Sequence, residues 1–166
     1  MAVTAVFRNQ SGTSKVVRST GGDYAITLAS LANAASPATS AGARQAVKMD
    51  FGATRAEMWR CKATFEIAAT PTAGNTIDIY LSPSESATAG TDNAGNATGA
   101  DAAYTGYSNN IDAALKQCFF VGSFVVTAQA TTTVQAGFVG RFSPPARYGS
   151  VIVVNRSGAA LHSTET

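Results

Sequence analysis

The chain has 166 residues, of which 45% are apolar and 13% charged, with one His, one Trp and a formal net charge of +2. That length suits one domain around one core, spanning residues 1–166, and the composition is too apolar for a disordered chain and too poor in Lys and Glu for a helical enzyme. The small net charge falls well short of the basic excess that neutralising many phosphates requires, so no nucleic-acid partner is expected.

Charge is unevenly spread: residues 1–62 hold eight Lys and Arg against three Asp and Glu, a net of +5, whereas residues 63–166 hold four against seven, a net of −3. Such asymmetry suits head-to-tail contacts between copies, or a basic face set on an acidic partner. The N-terminus has no basic start followed by an apolar core of roughly 7–15 residues, and no apolar run approaches the roughly 20 residues that span a bilayer, so neither a cleaved leader nor a membrane partner is expected.

In chain order, strands are expected at 3–8, 14–18, 24–28 and 45–51, with residues 1–22 forming an extended N-terminal arm. The patch Leu28-Ala-Ser-Leu-Ala-Asn-Ala-Ala35 has weak helical character, but Pro37 and the small polar residues after it favour a loop. The clearest signal is Trp59-Arg-Cys-Lys-Ala-Thr-Phe-Glu-Ile67, where Trp59, Cys61, Ala63, Phe65 and Ile67 alternate with Arg60, Lys62, Thr64 and Glu66. Period two over this length predicts a strand with one dry and one wet face, and it places Trp59 in the core. Thr70-Pro-Thr-Ala-Gly-Asn75 has turn chemistry and 76–82 resumes alternation, which predicts a hairpin with an extended loop.

Residues 83–109 are almost entirely Ser, Ala, Thr, Gly, Asn and Asp, and are expected to form a long structureless loop. A loop of that length in a compact domain suggests contact with something outside it. One short helix is expected after Asn110, an N-cap, with Asp112 in its first turn and Ile111, Leu115 and Cys118 on one face. Strands at 118–127, 132–142 and 150–155 complete the set. Between the last two, Pro144 and Pro145 cannot donate to a ladder and predict a rigid corner. Many short strands with almost no helical periodicity predict an all-β fold, an antiparallel β-sandwich.

Catalytic chemistry is poorly represented. His162, the only histidine, lies near the C-terminus, and no nucleophile elbow, phosphate loop or dinucleotide fingerprint occurs. Cys61 and Cys118 sit apart in apolar patterns and are expected as buried free thiols, with an inter-strand disulfide as the alternative. Asp92, Asn96 and Asp101 supply oxygens, but Ala94 and a missing closing glutamate break the calcium-loop order. No catalytic residue, cofactor or metal is therefore expected. A lectin-like surface is the stronger functional alternative, with Tyr80, Tyr104, Tyr107 and Tyr148 as candidate sugar-binding aromatics.

Three segments carry a resemblance: Ala43-Arg-Gln45 leading into Lys48-Met-Asp50, the run from Ile77 to Thr91, and Gly137-Phe-Val-Gly-Arg-Phe-Ser-Pro-Pro-Ala-Arg-Tyr-Gly-Ser-Val-Ile-Val-Val-Asn-Arg-Ser-Gly158. From about residue 28 onward, and most specifically in the final third, the chain resembles small proteins encoded among tailed-phage and prophage structural genes. The resemblance implies a virion component of the capsid decoration or cement type, a jelly-roll-like sandwich on the outer capsid surface, assembled in the host cytoplasm. It implies the major capsid protein and further copies of itself, as a homotrimer or other homo-oligomer, as partners. On that reading the N-terminal region and the 83–109 loop make the contacts, and deleting 88–106 leaves a folded protein that no longer binds particles. Candidate interface residues are Arg8, Lys15, Arg18, Arg44, Tyr104, Tyr107, Arg141 and Arg147. The alternatives are a tail or head-fibre module that binds host-surface glycan and, third, a glycan-processing enzyme.

Overall fold

A computed structural model describes residues 4–34, 40–53, 58–129 and 133–164. The strands are β1 (Thr4–Asn9), β2 (Ser14–Val17), β3 (Ala43–Gln45), β4 (Met49–Asp50), β5 (Trp59–Glu66), β6 (Thr76–Ser84), β7 (Ala102–Ala103), β8 (Phe119–Val125), β9 (Val134–Phe142) and β10 (Tyr148–Arg156). All the ladders between them are antiparallel. One sheet has the order β2-β1-β5-β9 and the other β7-β3-β10-β6-β8, with β4 also on β10. The all-β, antiparallel two-sheet architecture agrees with the strand periodicities.

The sheets face each other across one core. Alternation on β5 buries Trp59, Cys61, Ala63 and Phe65, which meet Ile77, Ile79 and Leu81 of β6 and Val151 and Val153 of β10. Phe51, Trp59, Phe7 and Phe142 join edge to face at 5.3–5.9 Å between ring centres, a favoured geometry for buried aromatics. β10 is buried on both sides. Its Ile152 and Val154 point away from this core into a second cluster with Ala43, Tyr104, Ile111, Ala114 and Leu115. A central strand covered on both faces reads as an unbroken apolar run, and Val151-Ile-Val-Val154 is one.

Several local expectations change. The predicted 59–67/76–82 hairpin does not exist: β5 pairs with β1 and β9, and β6 pairs with β10 and β8 in the opposite sheet. β5 has one wet face and suits an uncovered sheet, whereas β6 is buried on both sides and takes a central place. The 70–75 turn is thus a corner between layers, held by Thr72 N–H on Ser157 O and Gly74 N–H on Val126 O. The N-terminal arm is likewise replaced, in its described part, by a β1–β2 hairpin in which Phe7 is fully buried. Residues 24–28 form no strand beyond a single bridge from Tyr24 to Val17, because the chain turns away at Thr27 to bond Asp101. The 45–51 run divides into β3 and β4, both on β10. Residues 28–34 are not helical. Asn155 ties them down instead, its amide donating to Leu31 O and Ala32 O.

The Pro144–Pro145 corner forms as expected. β9 stops at Phe142 and β10 starts at Tyr148, two residues earlier than the apolar run alone suggests. The corner is braced by Phe51 N–H on Arg147 O and by the Arg147 fork on Asp50. Asn110 does cap a helical turn, α1 (Ile111–Leu115), its side chain accepting from Ala113 N–H at 3.1 Å. Five residues make a lid over the second cluster rather than a helical layer. Both cysteines are free. Burial pushes the Cys61 thiol up to about 12 and the Cys118 thiol up to about 11.

The two sheets come into close backbone contact where β8 meets β9. Opposite β6, Ile79 pairs with Gly122 and Tyr80 with Phe120, so Val121 is an extra residue; opposite β5, Cys61 pairs with Gly140 and Lys62 with Phe138, so Val139 is extra. The two bulges face each other. A methyl group on Gly140 would run into the Val121 carbonyl, and one on Gly122 would run into the Val139 carbonyl. Gly140→Ala is therefore expected to lower stability by roughly 1–3 kcal/mol, the usual cost of overpacking. Urea unfolding measures it, and Ala136→Ser on the exposed side of the same strand should stay within roughly 0.5 kcal/mol of the parent.

Candidate anion-binding face

The outer faces of the two sheets differ. Outside the larger sheet, the segment from Glu85 to Cys118 folds back over β10, β3 and β6 and brings Tyr104, Ile111 and Leu115 down onto Ile152 and Val154. The corresponding face of the four-stranded sheet is lined by exposed Arg8, Arg60, Lys62 and Arg141.

Register places these cations. Trp59, Cys61, Ala63 and Phe65 point inward, so Arg60, Lys62 and Thr64 point outward. Directly opposite them on β1 stand Arg8, Val6 and Thr4. On β9, Arg141 lies opposite Arg60 and Phe138 opposite Lys62. Phe138 and Arg141 are an odd number of residues apart and would face opposite ways on a regular strand. The extra residue Val139 restores them to one side. Arg8, Arg60 and Arg141 therefore form one continuous row across three strands, about 4.8 Å from strand to strand.

Like charges placed directly opposite on a sheet oppose pairing. Among the described residues, no carboxylate forms an ion pair with Arg8, Arg60, Lys62 or Arg141. The contrast with other arginines is plain: Arg44 pairs with Asp101 at 2.9 Å, Arg147 with Asp50 at 3.0 Å, and Arg156 with Asp78 at 3.3 Å and Asp112 at 2.5 Å. The row borders an open groove of about 640 Å³ that also takes in Ser14 and the ring of Phe138, which is 54% exposed. The Arg141 guanidinium lies 5.8 Å from the centre of that ring. Guanidiniums, hydroxyls and one aromatic ring are the chemistry that suits an anion; the groove lining contains no carboxylate or imidazole.

Of the interface residues expected from sequence, Arg8 and Arg141 meet here, and the others lie elsewhere. Tyr104 is corrected outright: it is fully buried, its hydroxyl donating to Gly95 O at 2.5 Å in the second cluster. Lys15 stacks near Tyr24 at the edge of β2 with its ammonium 5.5 Å from the ring centre. Arg18 donates to Gly21 O in its own turn. Arg44 and Arg147 are engaged by Asp101 and Asp50, and the Arg147 hydrogen bond holds the Asp50 carboxyl below the usual carboxylate range. Tyr107 is exposed, its hydroxyl donating to Gln117 at 2.8 Å. Arg60 and Lys62 were missed. Their alternation with the buried residues of β5 marked a wet face, and only the pairing with β1 and β9 turns that face into a cluster.

The 83–109 segment is not a structureless loop. The Lys48 ammonium sits inside it, with Ser84 Oγ, Ser86 O, Thr88 O and Thr91 O at 2.7–2.9 Å to share its three N–H donors. This ammonium occupies the oxygen-rich pocket of the segment, and among the described residues no group of three or more His, Cys, Asp or Glu is placed to hold a metal ion. Asp101 anchors the far end, accepting from Thr27 N–H and Oγ1 and from Arg44 Nε at 2.5–2.9 Å. Removing 88–106 would delete Asp101 and Tyr104, leaving Thr27 and Arg44 without their carboxylate and Ile152 and Val154 uncovered, so a folded deletion variant is not expected.

Burial alone would raise the Asp101 carboxyl, but the Thr27 and Arg44 hydrogen bonds outweigh it and hold the group below the usual carboxylate range. A depressed folded-state value contributes stability above the unfolded carboxylate range and loses it as pH falls through the folded value. Unfolding free energy measured from about pH 6 down to about pH 3 should therefore fall more steeply for the parent than for Asp101→Asn, and the substitution should cost roughly 1–3 kcal/mol near neutrality. Comparison of the chain with family models, curated proteins and solved structures finds no match, which leaves the chemistry of this face as the ground for a functional reading.

Proposed function

We propose that the chain is a non-enzymatic structural component of a tailed-phage particle, a capsid decoration protein that docks on acidic groups of the head shell. The row Arg8, Arg60, Arg141 carries this reading, because it is a charged face with no carboxylate partner among the described residues. The resemblance of the final third of the chain to phage structural proteins supports the choice of partner, the major capsid protein. A braced, hydrogen-bonded sandwich presenting one basic, grooved face suits a protein that clamps a lattice, as a homotrimer or other homo-oligomer. The glycan-binding alternative is weakened: of its candidate aromatics, Tyr104 is buried and Tyr80 packs against Phe120 at 5.1 Å.

Purified protein mixed with phage heads assembled without it tests the proposal. It should co-sediment in copy numbers matching the shell lattice and should be released as salt rises. Binding of a few copies at a vertex or tail would favour the fibre reading, and no binding to heads would overturn decoration.

A further inference from the structure

We infer that the arginine row takes a short acidic and apolar segment of a protein partner, with its carboxylates on Arg8, Arg60 and Arg141 and one apolar side chain on Phe138. This rests on the docking reading above and names what the shell must present.

Three observations select a protein segment over other polyanions. The four cations form one compact patch and could neutralise about four phosphates, few for a nucleic acid held by its backbone. The groove lining offers cationic donors and a few hydroxyls but no Asp, Glu, Asn or Gln, so the hydroxyl donors of a sugar would find few acceptors, whereas a carboxylate needs none. Beside the row stands a half-exposed phenyl ring with Arg141 against it, an apolar seat that a purely charged ligand would leave wet.

Spacing agrees with this choice. Alternate residues of an extended chain present same-side groups roughly 6.5–7 Å apart, and the row spans about 10 Å from β1 to β9. Two carboxylates at i and i+2 can therefore each meet a guanidinium fork. Phe138 lies in the neighbouring row, opposite Lys62, so the apolar residue meets it where the segment bends from Arg141 along β9.

The test is fluorescence anisotropy with a labelled peptide, Gly-Glu-Ser-Glu-Ser-Leu-Gly, against polygalacturonate and a single-stranded DNA dodecamer as competitors. The peptide should bind and should be displaced more weakly by either competitor than by unlabelled peptide at equal charge. Arg60→Ala should weaken binding about tenfold, Arg60→Lys should restore it only in part because a bidentate fork is lost, and Phe138→Ala should weaken it several-fold. Removing a like charge should leave Arg60→Ala folded, which urea unfolding checks. Tighter binding of polygalacturonate or DNA, or peptide affinity unchanged in Arg60→Ala, overturns the inference. Heads separate the two proposals: docking that survives in the Arg8→Ala, Arg60→Ala, Arg141→Ala triple variant overturns the segment inference and leaves decoration standing. Peptide binding without any docking on heads supports the segment inference and overturns decoration.

Discussion

The crossing of β8 over β9 constrains the rest of the molecule. Each strand carries one extra residue at the crossing, and each presents a glycine to the other's backbone carbonyl. Without a side chain at Gly122 and Gly140 the two edge strands approach closely enough to close that side of the sandwich, although no ladder joins them. The bulges have a second effect, because each reverses which residues face outward beyond it. On β9 this turns Phe142 into the aromatic core while Arg141 joins Phe138 outside. Packing of the core and charge on the surface are thus set by the same inserted residue.

The two outer faces then diverge. The larger sheet is covered by the 85–118 segment, whose small polar composition would not order it unaided. Ordering comes from a few anchors: the Lys48 ammonium among four oxygens, Asp101 between Thr27 and Arg44, and the buried ring of Tyr104. These anchors use Lys48 and Arg44, two cations of the basic N-terminal region, for internal work. On the four-stranded sheet, Arg8, Arg60, Lys62 and Arg141 have no carboxylate partner among the described residues. Three of the eight cations in the basic half, Arg8, Arg60 and Lys62, gather with Arg141 from the other half on one face.

Much of the architecture was legible in the residues. The alternation of β5, the prolines that end β9, and the Asn110 cap each reflect local chemistry, and each local feature is present where its residues predict it. Long-range pairing was less legible. β5 and β6 look like a hairpin because both alternate around a turn, yet burial of both faces of β6 sends it to the other sheet, which local periodicity does not encode. The buried role of Tyr104 was hidden for the same reason: a tyrosine in a Ser, Thr and Gly-rich stretch looks exposed until Ile152 and Val154 are seen beneath it. For the candidate face, Arg8 and Arg141 stood out as charges, but Arg60 and Lys62 acquire meaning only through register, and the place of Arg141 depends on a bulge.

If the chain decorates phage heads as proposed, and through its uncovered face, its orientation on the particle is decisive. Cryo-electron microscopy of decorated heads at side-chain detail measures it directly. On the proposed docking, β1, β5 and β9 should face the shell, with carboxylates of the major capsid protein within hydrogen-bonding distance of Arg8, Arg60 and Arg141. A reconstruction in which that sheet faces solvent and the 85–118 segment lies against the shell would contradict it.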